Sequence, residues 1–278
     1  MLRLRKLKKI NKSICIILLF LFYYSDIKSI ELYGDYIQGG LVIGKLTSNA
    51  NVYLDDKVIP VDSEGNFLFG FSRKNNILSK LKIIYSSGKI YEKKINVKTR
   101  KYKIQRIDSL DKNKVNPPKD FFNRIIAENR LIKAAKSTKV LKPYYKKGFI
   151  MPAEGIITGV YGSQRILNGT PKRPHYGLDI ANKMGTDVIA TSDGEIVLVE
   201  KDLFYSGGTI IISHGLGLTS SYLHLSSILV EKGDVVVQGQ KVGEIGATGR
   251  ATGPHLDWRM QIRETRIDPR LLLNKEYF

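Results

Sequence analysis

The chain has 278 residues, 42% of them hydrophobic, a formal net charge of +19 and one cysteine, Cys15. That length and apolar content suffice for one large or two modest globular units with appendages. A lone cysteine excludes a disulfide framework. Because Cys15 sits in the N-terminal apolar run, thiol catalysis and thiolate metal ligation are excluded from everything downstream.

In chain order, Arg3, Arg5, Lys6, Lys8, Lys9 and Lys12 precede the apolar run ICIILLFLFYY, Ile14 to Tyr24. A basic head before roughly 11 apolar residues is the pattern of a secretory signal, and it is short for a membrane span of about 20. The following DIKS lacks a small-x-small cleavage pattern. Residues 1–29 therefore read as a signal peptide or as an uncleaved membrane anchor. Either reading exports the remainder to a bacterial periplasm or cell envelope. The remainder is still strongly basic, which suits a solvated surface drawn to an anionic cell envelope. No helix-turn-helix, aromatic-basic platform or zinc-finger spacing points to nucleic acid as a partner.

Residues 30–106 read as a small accessory β domain. NVYLDDKVIPV, DSEGNFLFGF and KLKIIYSSGKIYEKKINV are strand–turn–strand units, with Phe67, Phe69 and Phe71 alternating along one of them. Short strands at roughly ten-residue spacing predict a sandwich. Residues 107–148 read as a linker. Pro117 and Pro118 stop any strand, and KDFFNRIIAENRLIKAAKS predicts an amphipathic helix carrying Phe121, Phe122, Ile125, Ile126, Ile132 and Ala135. KPYYKKG connects it to the last section.

Residues 149–274 change texture to β-branched stretches separated by glycine, such as DGEIVLVEKD, GGTIIISHG and GDVVVQGQKVGEIG. The predicted fold class is thus mostly β: a C-terminal antiparallel sheet or sandwich, preceded by a small N-terminal β-sandwich and a linker helix. His175, His214, His224 and His255, all the histidines in the chain, fall in this last section.

PHYGLDIA places His175 and Asp179 four apart. A straight strand would separate them by roughly 13 Å, too far to share an ion, but Gly177 permits a bend that brings both to one metal. SSYLHLSS puts Ser220, Tyr222 and His224 on one strand face, where a phenol beside an imidazole could stabilise an oxyanion or form a satisfied buried pair. His214, at a strand end in IIISHGLG, reads as structural. In TGPHLDWRMQ, His255 and Asp257 share a face while Leu256 and Trp258 take the other. One of the pair can bind metal while the other acts as a general base.

Taken together, HYGLDIA, YLHLS, VVVQGQKVGEIGATGRATGPHL and DPRLLL resemble the lysostaphin-type, LytM-like zinc metallopeptidases of peptidoglycan, over roughly residues 149 to 274. The preceding GVYGSQR also resembles that family. The resemblance implies one zinc ion, or another divalent metal, bound by His175 and Asp179, with His224 assisting the transition state and His255 as the catalytic base. It implies a third ligand at position 257, where the family's usual His-x-His has its second histidine and this chain has Asp257. A carboxylate is an acceptable zinc ligand that reaches about as far as an imidazole Nδ1. Two carboxylates, however, cancel the ion's double charge.

Three functions compete. The first is a metal-dependent endopeptidase that hydrolyses peptide stems or cross-links of peptidoglycan, with His175, Asp179 and Asp257 on the metal, His255 as base, and His224 with Tyr222 at the oxyanion. The second is a catalytically impaired module of the same fold that binds peptidoglycan or regulates another wall hydrolase. The third is a lipoyl- or biotinyl-type carrier, suggested by GDVVVQGQKVGEIG but lacking a hairpin lysine flanked by methionine.

Overall fold

The computed structural model describes residues 30–108, 110–273 and 275. The signal or anchor segment, residues 1–29, lies outside the described residues, among which no helix is long and apolar enough to cross a membrane.

The N-terminal section contains β1 (Glu31–Gly34), β2 (Leu41–Lys45), β3 (Ala50–Leu54), β4 (Lys57–Ile59), β5 (Asn66–Gly70), β6 (Leu78–Tyr85) and β7 (Ile90–Asn96). They form a β1-β2-β5 sheet and a β4-β3-β6-β7 sheet. Period-two alternation explains why β2 is apolar at consecutive positions. Val42 packs with Phe67, Phe69 and Phe71 and with Val52, Leu81 and Ile83. Its neighbours Leu41 and Ile43, with Leu68, join the core of the C-terminal section. Strands β2 and β5 are therefore buried on both faces, while β1 at the sheet edge stays largely exposed.

Polar contacts lock that junction. Arg100 pairs at 2.8 Å with the buried Asp268, and the Arg263 guanidinium donates to the Leu68 carbonyl at 2.7 Å. Gly70 lies so close that a Cβ there would come within 2.8 Å of Ile262 and Ile267. The strand β8 (Ile104–Ile107) does not pair with the N-terminal sheets. It runs parallel to β10 (Gln164–Leu167), so the chain has already joined the C-terminal section there.

The expected helix is present as α1 (Phe122–Lys136), but only Ala135 is buried. Its apolar residues are split between two sides: Ile125 and Ile132 face a chamber beneath, while Phe122 and Ile126 are each 48% exposed. Polar contacts fasten it instead of a single apolar stripe. Arg124 pairs with Glu128 and Asp202, Glu128 accepts from the Phe204 N–H at 2.8 Å, and Lys136 donates to Gln261 at 3.1 Å. The KPYYKKG segment is likewise an anchor rather than a loose connection, because Tyr145 is fully buried in the main core.

Beyond α1 come β9 (Ile156–Gly159), β10, β11 (Thr170–Pro171), β12 (Leu178–Ala181), β13 (Asp187–Ile189), β14 (Gly194–Leu203), β15 (Gly207–Gly215) and β16 (Leu218–Ile228). They are followed by β17 (Val235–Val236), β18 (Lys241–Ile245), β19 (His255–Ile262) and β20 (Thr265–Ile267). The main sheet runs β17-β14-β15-β16-β19-β12-β9, with β13, β18 and β20 attached alongside. One face carries Leu178, Ile180, Ile210, Tyr222, Leu256 and Trp258 into the core.

Within that core lies a polar seam. His214 Nδ1 is 2.6 Å from the Asp193 carbonyl, which can only accept, so Nδ1 carries the proton. Nε2 then accepts from Ser220 Oγ at 2.8 Å. Ser220 Oγ lies 3.3 Å from Tyr222 Oη, which accepts the Thr191 N–H at 2.9 Å. Burial pushes His214 down to about 4, against the opposing pull of Asp193. An unfolded histidine titrates near 6.5, so the unfolded chain binds this proton first. Stability should accordingly fall as pH drops from about 6.5 towards 4, by about 3 kcal/mol from this group. Urea unfolding across that range should show a shallower pH dependence in His214→Gln than in the parent; equal slopes would remove the seam from the account.

Candidate metal centre

The antiparallel register of β12 and β19 sets Asp179 directly opposite Asp257 and Ala181 opposite His255. Opposed residues leave the same face, so both carboxylates point away from the Trp258 core. The chain bends at Gly177, just before β12, and returns His175 Nε2 to 3.1 Å from Asp179 Oδ1. A single ligand atom from each of His175, Asp179 and Asp257 lies within 4.8 Å of the other two. Glycine makes the room. A Cβ at Gly159 would sit 2.1 Å from Asp179 Oδ2, and one at Gly177 would sit 2.3 Å from Asp257 Oδ1. Gly177 thus serves close approach as well as the bend.

These three side chains are buried, at 2%, 4% and 0% exposure. Despite the 3.1 Å approach, neither nitrogen of His175 nor Asp179 Oδ1 has a properly aligned hydrogen-bond partner. Lone pairs converging on a point instead of on one another are what a shared cation requires. Tetrahedral ligands with bonds of 2.0–2.1 Å are about 3.3 Å apart. One nitrogen and two carboxylate oxygens, all within 4.8 Å of one another, are a donor set that can close to that spacing around a divalent cation.

Sequence reasoning missed the two arginines that accompany the acids. Arg165, on β10, contacts Asp179 Oδ2. Arg259 grips Asp257 through Nη2 at 2.5 Å and through Nε at 3.0 and 3.1 Å. Burial would raise Asp257, but Arg259 above all, with His175 and Arg165, holds it well below the usual carboxylate range. Burial and the neighbouring Asp257 also push Asp179 upward, and His175 and Arg165 outweigh both. Two carboxylates are therefore matched by two guanidiniums. Asp257 with Arg259 forms an electroneutral pair, so it presents an oxygen ligand without the full electrostatic cost of a second bare acid. Arg259 was findable: two residues after Asp257, it must share that strand face.

His224 and His255 stand beside this cluster, their ring centroids 4.8 Å apart. His224 Nδ1 is 2.7 Å from the Thr248 carbonyl and His255 Nδ1 is 2.9 Å from the Gly253 carbonyl. Both carbonyls only accept, so each ring carries a proton on Nδ1, and its Nε2 is the nitrogen left to face the chemistry. Burial drives His224 down to about 4, despite the Asp257 charge.

Tyr222 does not join them. The expectation that it flanks His224 assumes unbroken alternation along β16. Instead β16 carries one extra residue between the pairs Tyr222–Ile210 and Leu225–Gly208, and His224 adopts φ +68°. This bulge turns His224 into the wall of the metal-side chamber, while Tyr222 stays opposite Trp258 in the core. There its hydroxyl is occupied by Thr191 and Ser220, and burial pushes it up to about 12. His214, read as structural, belongs to that same seam.

Residues 173–269 match the model of Peptidase family M23. The chain is similar to the peptidoglycan DD-endopeptidases ShyB and ShyA of Vibrio cholerae. Identity is 43% over 95 residues and 44% over 101, or 34% and 36% of this chain and 22% and 23% of the relatives. The chain thus matches less than a quarter of these relatives' length. A solved structure from Pseudomonas aeruginosa assigned to peptidase M23 superposes over 88% of this chain and 96% of its own, with a TM-score of 0.67 and 25% identity.

Removing Arg259 should leave a buried acid uncompensated. Without metal, Arg259→Met should lose about 3 kcal/mol of folding stability, read from denaturant curves in chelator. A divalent cation should then raise its melting temperature more than the parent's, because the released carboxylate faces the ion alone. Unchanged stability would mean the pair is not what balances Asp257.

Proposed function

We propose that the chain, whose residues 173–269 match the model of Peptidase family M23, is a metal-dependent endopeptidase. Its substrate would be a peptide stem or cross-link of bacterial peptidoglycan. The observation that supports this most is the convergence of His175, Asp179 and Asp257 beside two imidazoles, with both His175 nitrogens and Asp179 Oδ1 buried and unpartnered.

In this reading His175, Asp179 and Asp257 hold one zinc ion. The ion supplies Lewis acidity towards the scissile carbonyl. His255, tied through Nδ1 to Gly253, takes the proton of the attacking water on Nε2. The carbon–oxygen bond forms, the carbon–nitrogen bond breaks, and the proton passes to the leaving amine. His224 can steady the oxyanion only as a donor, hence only once protonated. Burial keeps that ring neutral, so His224 would have to take its second proton from solvent as negative charge builds on the substrate. Tyr222 takes no part. A peptidoglycan substrate and the basic then apolar N-terminal segment both support a location in the bacterial envelope.

A second reading is a wall-binding or regulatory module without catalysis, favoured by the grip of Arg259 on both oxygens of Asp257. Zinc-loaded protein should release soluble fragments from purified peptidoglycan with about one metal per chain. His175→Ala should lower release by about a hundredfold or more. Release that survives chelation or His175→Ala defeats the endopeptidase reading. A silent parent that is switched on by Asp257→His establishes the second.

A further inference from the structure

Beneath α1 and against the metal-side face of the sheet lies a chamber of about 550 Å³, with His175 and His224 in its wall. Its charge is one-sided. The cations at its wall are Lys136, Arg165, Lys172, Arg173, Arg250, Arg259 and Arg266, and Glu128 is the one acid among the lining residues. Glu128 is already engaged by Arg124 and the Phe204 N–H. Arg165 and Arg259 are matched by Asp179 and Asp257.

Lys136, Arg250 and Arg266 have no carboxylate partner among the described residues. Each is nevertheless held in place by neutral groups. Arg250 lies 4.7 Å over the Tyr205 ring and reaches the Lys114 carbonyl at 3.3 Å. Arg266 lies 4.5 Å over the Tyr176 ring. Lys136 donates to the Gln261 amide oxygen. Aromatic faces and amide oxygens position a cation without neutralising it. Desolvation and then mutual repulsion already work against these charges: Arg259 and Arg266 depress Lys136, and Arg259 and Arg173 depress Arg266. Fixed, half-buried cations without acid partners around one cavity, Lys136 among them pushed down to about 7 by burial and by Arg259 and Arg266, are what an anionic ligand relieves.

We infer that this chamber is a carboxylate-binding subsite of the metal centre, selecting peptides with free carboxylates near the scissile bond over neutral peptides. Arg250 and Arg266 are its specificity-determining residues, and Lys136 brings α1 into the same subsite. The inference rests on reading the His175–Asp257 cluster as a peptidase centre. A peptide fits better than a phosphate polymer: the cavity is small, and His175 of the cluster and the neighbouring His224 stand in its wall.

Two synthetic peptides test this, identical except that one carries free side-chain and terminal carboxylates and the other their amides. Binding to the zinc-loaded full chain is measured by calorimetry, and hydrolysis by chromatography. The free-acid peptide should bind about tenfold or more tightly, with a preference that shrinks as salt is raised. In Arg250→Gln/Arg266→Gln the two peptides should differ by less than about threefold, the difference being lost in Kd and KM. Equal affinity of the two peptides for the parent overturns the inference without recourse to any variant, as does a preference that survives the double substitution. Tripolyphosphate binding more tightly than the free-acid peptide reassigns the chamber to phosphate and also overturns it. A charge preference in binding without hydrolysis of either peptide upholds the carboxylate site but removes the endopeptidase reading, and with it the scissile bond beside that site. Hydrolysis of both peptides at one rate does the reverse.

Discussion

Two buried acids facing one another across an antiparallel strand pair set the terms for everything around them. Asp179 and Asp257 are register partners, nearly excluded from water, and charged. Like charges so placed repel strongly in a medium of low polarisability. The protein answers with Arg165 and Arg259, one for each acid, and with His175 folded back between them. Glycines at 159 and 177 let this crowd assemble, because any Cβ at either position would overlap a carboxylate oxygen. Each acid of this inner set therefore has its own guanidinium before any cation arrives. The set keeps a nitrogen and two oxygens aimed at a common point.

That balance reframes the departure at position 257. Set against an imidazole, a carboxylate adds a negative charge, and a second acid would blunt an ion's polarising power. Here the added charge arrives with its own counter-charge two residues along the strand. Asp257 and Arg259 together are neutral, as an imidazole is. The arginine does more than compensate: it fixes both oxygens of Asp257 and so orients them.

The surroundings serve the same face. The N-terminal sheets are clamped to the far end of β19 and β20 through Gly70, Arg100 and Arg263, and β8 continues the pairing beside β10, which bears Arg165. The helix α1 is stapled over the opposite flank by Glu128 and Lys136. A cavity walled by sheet, helix and linker is left over the metal-side face, lined by cations that exceed the available acids. The same arginine chemistry that stabilises the inner acids, repeated outside them without partners, becomes a surface for recognising anions.

Local patterns in the sequence were enough to determine the mostly β texture, the helix after Pro118, the bend at Gly177, and the shared face of His255 and Asp257. Each follows from short-range backbone geometry: turn residues, period two, and glycine's freedom. The family resemblance carried by several motifs, with their order and spacing intact, singled out His175, Asp179 and Asp257 as one set, and the structure brings these three together. Only the tertiary structure decided what those patterns could not carry. A bulge in β16 sent His224 to the chamber and left Tyr222 in the core, and a bulge is set by how neighbouring strands pair, not by the residues within one strand. Likewise α1 lost its single apolar stripe because polar staples to distant loops hold it. Arg165 found Asp179, and Arg250 and Arg266 came to share a cavity, through contacts between strands and loops far apart in the chain. Alternation is a local rule; charge balance and cavity walls are properties of what the fold brings together.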